Sequence, residues 1–144
     1  GLIIKKNAIL SVDYEFVDYS QMRLRSDQAG EFDDANDVID NDFASTYNLR
    51  AGAEYRLGLL SLRAGYGLYG SPYANDNYGK DASISVISGG VGINSGNFFI
   101  DFAYSRSIKE YTKYLYDTYS DEAKVGADME SVSARMLLTL GMRF

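Results

Sequence analysis

Apolar residues fall at every second position in six separate segments, and this period of two restricts the fold more than any other feature of the chain. In 46–57, Tyr47, Leu49, Ala51, Ala53, Tyr55 and Leu57 alternate without a break with Thr46, Asn48, Arg50, Gly52, Glu54 and Arg56. A strand sends successive side chains to opposite sides, so each such segment carries one apolar and one polar face. The pattern recurs in 8–17 (Ala8, Leu10, Val12, Tyr14, Phe16), in 60–69 (Leu60, Leu62, Ala64, Tyr66, Leu68) and in 97–105 (Phe98, Ile100, Phe102, Tyr104). It is longest in 131–144, where Val132, Ala134, Met136, Leu138, Leu140, Met142 and Phe144 alternate with Ser133, Arg135, Leu137, Thr139, Gly141 and Arg143. Only 83–94 changes phase, from Ile84 and Val86 to Ile87, Gly89, Val91 and Ile93, and a β-bulge near Ile87 is the expected reconciliation.

The connections alternate between short and long. Leu57-Gly58-Leu59 and Asn94-Ser95-Gly96-Asn97 are minimal, and each carries the glycine that a tight hairpin needs. The stretches 18–45, 70–82 and 106–130 are long, although Met22 and Leu24 suggest that 18–25 prolongs the first strand. The expected fold is all-β: an antiparallel up-and-down meander of six main strands in one domain, 1–144, with short turns at one end and long loops at the other. That layout is the one found in outer-membrane barrels. Six strands fall short of the roughly eight needed to close a bilayer barrel. Because GLIIKKN at 1–7 reads as the tail of a preceding strand and its turn, further strands are expected upstream, and the chain is expected to be the C-terminal part of a larger barrel.

Composition narrows the chemistry. With no Cys and no His, the chain lacks thiol nucleophiles, disulfides, the commonest general base and the commonest zinc ligands. No carboxylate has a nucleophile or a metal-site spacing beside it, so no enzyme activity, catalytic residue, metal or cofactor is expected. The net charge of −6 has the wrong sign for nucleic acid. No stretch approaches the ~20 apolar residues of a spanning helix.

The two faces point to a membrane. Across the strands the apolar face is almost free of charge, whereas the polar face mixes Arg, Asp and Glu with Gly and Ser, as a crowded wet lumen requires. Aromatics on the apolar face sort by height: Phe16, Tyr47, Tyr66 and Tyr104 lie toward the long loops, and Tyr55, Phe98 and Phe144 toward the short turns. Two aromatic girdles around an aliphatic middle match the two interfaces of a bilayer. In water, an apolar face of this size would have to curl inward or be covered by a second copy.

The run NLRAGAEYRLGLLSLRAGYGLYGSPY within 46–73, with LSVDYEFVDYSQMRLR at 10–25, ISGGVGINSGNFFIDFAYS at 87–105 and LLTLGMRF at 137–144, resembles the C-terminal strands of FadL-type outer-membrane transport proteins. The resemblance implies a 14-stranded barrel with an N-terminal hatch. It further implies passive transport of long-chain fatty acids or other hydrophobic solutes across the outer membrane of a Gram-negative bacterium. Its partners would be outer-membrane lipid, a hydrophobic small-molecule ligand and the barrel-assembly machinery.

The candidate lumen or ligand residues are Arg50, Glu54, Arg63, Asp101 and Arg135, with Arg56 and Arg143 on the same face. They serve either to attract a carboxylate headgroup or, as cross-strand charge pairs, simply to satisfy one another. Phe144, with Met142 and Leu140 before it, resembles the C-terminal assembly signal of outer-membrane barrels. The acidic run at 27–42 lacks the spacing of a calcium loop and reads as a solvated loop, with divalent-cation bridging to surface lipopolysaccharide as the functional alternative. YTKYLYDTYS at 111–120 reads as a loop packed on its own rings, or as a ligand-entry lip. A structural or adhesive barrel without transport, and a soluble barrel holding an apolar ligand, remain the alternative functions.

Overall fold

The structure is a computed structural model that describes residues 1–5, 7–28, 30–74, 82–114 and 126–143. Seven strands form one antiparallel sheet in sequential order: β1 (Leu2–Ile4), β2 (Ala8–Asp18), β3 (Ser45–Leu57), β4 (Leu60–Tyr69), β5 (Ile84–Asn94), β6 (Phe98–Tyr114) and β7 (Gly126–Met142). The short β1 is the expected strand tail, with Ile4 paired to Ala8 across its turn. The ends of the sheet, β1 and β7, do not pair with each other, so the sheet is open, as in part of a barrel. Both short hairpins turn on a glycine with positive φ, Gly58 at 61° and Gly96 at 80°, a conformation that costs other residues energy.

Four sequence expectations need correction. First, β5 has no bulge: it pairs residue for residue with β4 and β6, from Ile84 opposite Tyr69 and Lys109 to Ile93 opposite Leu60 and Ile100. Ile84 and Val86 therefore lie on the polar face. Second, 18–25 does not prolong β2. Asp18 ends the strand, accepts from the Ser20 backbone N–H and starts a 3₁₀ turn at Tyr19–Gln21. Third, β6 and β7 run on through most of the expected loop, Arg106 opposite Ala134 and Thr112 opposite Asp128, with the Thr112 hydroxyl 3.0 Å from Asp128. Of the tyrosine-rich stretch, 111–114 is strand, and 115–120 lies outside the described residues.

Fourth, the acidic loop contains helix α1 (Asp33–Asp42). Asp33 and Asp34 occupy its first turn, where the helix dipole favours negative charge. The helix is held from outside: the Asn36 side chain bonds the backbone N–H and C=O of Leu24, and Arg23 pairs with Asp40 at 2.5 Å. Just beyond it Phe43 bridges to Tyr73, with ring centroids 5.4 Å apart. Among the described residues no helix is long and apolar enough to cross a membrane.

The sheet has almost no core of the usual kind. The chain as a whole exposes 11015 Å², against roughly 7,400 Å² for a compact monomer of 16.0 kDa. Of the four described residues that are buried, Thr46, Gly67 and Gly92 are on the polar face, and Ala82 precedes β5. The apolar face is not curled inward: Leu62, Ile100 and Leu138 are all exposed, and Met136 keeps 74% of its surface.

Candidate functional site

Register decides which polar-face residues meet. Tracing the pairings across the sheet places Asp13, Arg50, Gly67, Val86, Ser107 and Ser133 in one row, and Ile9, Glu54, Arg63, Gly90, Ala103 and Leu137 in another four residues nearer the short turns. The first row carries one charge network. Arg50 lies 2.7 Å from Glu15 and 3.3 Å from Asp13, and its guanidinium stands over the Tyr69 ring at 5.9 Å. The Asn48 amide also donates to Glu15 at 3.1 Å. Two carboxylates on one guanidinium leave this network net negative.

The second network is a chain along the short-turn end. Glu54 accepts from Arg56 at 2.5 Å and from Arg63 at 2.7 Å, and Arg63 continues to Asp101. Arg63 stands on β4 and Asp101 on β6, so their pair crosses the whole of β5. It can do so because Gly92 lies between them: a Cβ there would collide with the Asp101 carboxylate and approach the Arg63 guanidinium to 3.2 Å. Four of the expected residues, Arg50, Glu54, Arg63 and Asp101, are thus drawn into ion pairs. Arg135 is on the same face opposite Ser105 but joins neither network, and no described carboxylate lies within ion-pair distance of it.

The polar face is the crowded one. A Cβ at Gly65 would meet the Ser88 hydroxyl at 2.7 Å, at Gly52 that of Ser11 at 3.0 Å, and at Gly141 the Phe99 ring, whereas at Gly89, on the apolar face, the nearest atom is a backbone oxygen at 3.8 Å. A sheet curled toward its polar side crowds that side and spreads the other. Glu54 accordingly keeps only 18% of its side-chain surface, whereas Tyr55 beside it is exposed.

Below the second network the polar face opens into a cleft of about 550 Å³, lined by Arg56, Ser61, Arg63, Asn94, Phe99, Asp101 and Arg143 among others. Sequence reasoning placed Arg56 and Arg143 on this face without joining them. It also missed the apolar outer end of the polar face, where Ile84 stands opposite Tyr69 and Val86 opposite Gly67; the phase change in β5 was the available signal. Of the expected assembly signal, Met142 and Leu140 are exposed on the apolar face of β7, opposite Phe98 and Ile100, and Phe144 lies outside the described residues. Among the described residues no group of three or more acidic side chains is placed to hold a metal ion, those of α1 included. No family model, curated protein or solved structure matches the chain.

Proposed function

We propose that the chain forms part of the wall of an outer-membrane β-barrel in a Gram-negative bacterium, and that the barrel passively transports long-chain fatty acids or other hydrophobic solutes. The observation that carries the membrane reading is the uneven burial of the two faces: along β3 to β6 the apolar face is the more exposed one and the polar face the more covered, although the Arg50, Arg56 and Arg63 heads stay open. Water penalises that arrangement, and a bilayer around a wet lumen rewards it.

The girdles add a geometric argument. Phe16 stands opposite Tyr47, and four strands later Tyr104 traces back through Gly89 and Ala64 to Ala53, six residues below Tyr47. In the lower girdle Ile100 traces back to Leu57, and Phe98 lies two residues further, so three strands bring a fall of four residues from Tyr55. Over β3 to β6, which both girdles share, the upper falls six residues and the lower four, about 2 and 1.3 residues per strand in the same direction. With a rise of ~3.3 Å per residue and a strand spacing of ~4.8 Å, level bands of aromatics require strands tilted by roughly 43–54°. Membrane barrels have strand tilts of about 35–45°.

The solute class rests on the resemblance to FadL-type proteins. Outer-membrane lipid would cover the apolar face, and the barrel-assembly machinery would engage β7, whose outer edge has no partner strand among the described residues. The pairing of Arg50 with Asp13 and Glu15, and of Arg63 with Glu54 and Asp101, favours a second reading, a structural barrel whose charges only brace its wall. Cell fractionation and uptake assays separate the two. The transport reading expects heat-modifiable protein in the outer membrane and long-chain fatty acid uptake that falls when the gene is deleted. Outer-membrane protein with unchanged uptake would select the structural barrel, and recovery of the protein from the soluble fraction would overturn both.

A further inference from the structure

We infer that the cleft at the short-turn end of the polar face is a binding subsite for the anionic head of an amphiphilic solute, with a carboxylate held between Arg56 and Arg143. This rests on the reading that the polar face lines a passage, and it adds the place and the chemistry. Three guanidinium groups, those of Arg56, Arg63 and Arg143, line the cleft together with one carboxylate, that of Asp101. Arg63 is committed to Glu54 and Asp101. Arg56 has one partner, Glu54, and stays more than half exposed. Arg143 has no carboxylate within ion-pair distance among the described residues, and its backbone is pinned by an N–H bond of 2.7 Å to the Asn97 carbonyl.

The charges are therefore unequal along the passage. At the long-loop side, Asp13 and Glu15 outnumber Arg50, and α1 adds five aspartates above them. At the short-turn side Arg56, Arg63 and Arg143 outnumber Glu54 and Asp101, and Arg135 adds a further guanidinium at mid-height, so an anion gains by leaving the long-loop side for the short-turn side. Ser61 and Asn94 supply hydrogen bonds beside the guanidiniums, and Phe99 and Leu59 supply apolar wall for the start of a tail. The lining is otherwise mostly polar, so the head is what the cleft holds and the tail only starts against these walls.

The test uses the barrel protein whose wall this chain forms part of, refolded in neutral detergent micelles, with octanoate, octanol and inorganic phosphate as probes and arginine side-chain NMR as the readout. Octanoate is expected to shift the Arg56 and Arg143 signals, octanol to leave them in place, and the double variant Arg56→Gln/Arg143→Gln to bind octanoate about tenfold more weakly or worse, the size expected for losing charge-assisted hydrogen bonds. Lys109→Gln, a loss of the same charge far along β6, should change nothing. Phosphate should bind several-fold more weakly than octanoate because it lacks a tail. Equal binding of octanol, unchanged affinity in the double variant, or phosphate binding as well as octanoate would each overturn the assignment. Heat-modifiable migration, scored separately, reports on the barrel, so failure of the barrel reading is distinguishable from failure of the subsite.

Discussion

Leu137 and Leu138 are neighbours of the same residue type, each keeping 63% of its surface, yet they belong to different environments. Leu138 pairs with Phe102 in the apolar face, whereas Leu137 pairs with Ala103 in the row of Glu54 and Arg63. Their difference teaches that in this sheet neither side-chain type nor exposure alone tells what a residue touches. Face does, and face is set by register. In a soluble protein an exposed leucine is a minor matter; here a continuous field of them covers one side of the sheet, while the other side holds the ion pairs.

The largest expected effect breaks this comparison at the same two residues. Leu138→Arg should destabilise the protein folded in lipid vesicles by about 2–4 kcal/mol, the range for arginine on a lipid-facing strand near the bilayer midplane, and Leu137→Arg by less than ~1 kcal/mol. Urea unfolding from vesicles measures both. Next in size is a pair of glycines on opposite faces. Gly92→Ala puts a methyl group into the Arg63–Asp101 crossing and should cost about 1–3 kcal/mol, whereas Gly89→Ala, where a Cβ makes only an ordinary contact with a backbone oxygen, should stay within ~0.5 kcal/mol. The smallest sharpens the account of the polar face itself. Glu54→Gln removes the charge shared by Arg56 and Arg63 and should cost roughly 1 kcal/mol, falling further at high salt because both guanidiniums are substantially exposed.

The strands that cross the sheet were legible because alternation is a local signal, read within ten residues or so. What alternation could not supply was the setting of each strand. In β5 the assumption that all apolar residues share one face called for a bulge, whereas the structure keeps the ladder regular and lets Ile84 and Val86 face the polar side beside Tyr69 and Gly67. Past Tyr104, β6 and β7 carry charge on both faces, Arg106 and Glu110 on one and Lys109 on the other, so the pattern faded while backbone pairing continued. Helix α1 was hidden by its aspartates. The spacing of Ala35, Val38 and Ile39 was the available sign, but its anchoring through Asn36 and Arg23 is made by contacts at a distance. The candidate site was half legible. Parity put Arg50, Glu54, Arg63, Asp101 and Arg135 on one face, but which of them pair depends on register. The Arg63–Asp101 crossing joins residues 38 positions apart over a glycine on a third strand.

The central claim is that the two faces of the sheet meet different solvents, lipid on one side and water on the other. Because the chain has no cysteine, single Cys substitutions from Val132 to Met142 can each carry a spin label without a competing site. In lipid vesicles, access to oxygen should peak at 132, 134, 136, 138, 140 and 142, and access to a water-soluble nickel reagent at 133, 135, 137, 139 and 141. The label at position 137 is the most telling, since an apolar residue there gives way to a water-facing readout. Period-two alternation with 137 on the aqueous side is the predicted result; equal access at both sets, or 137 grouping with 138, would contradict the account.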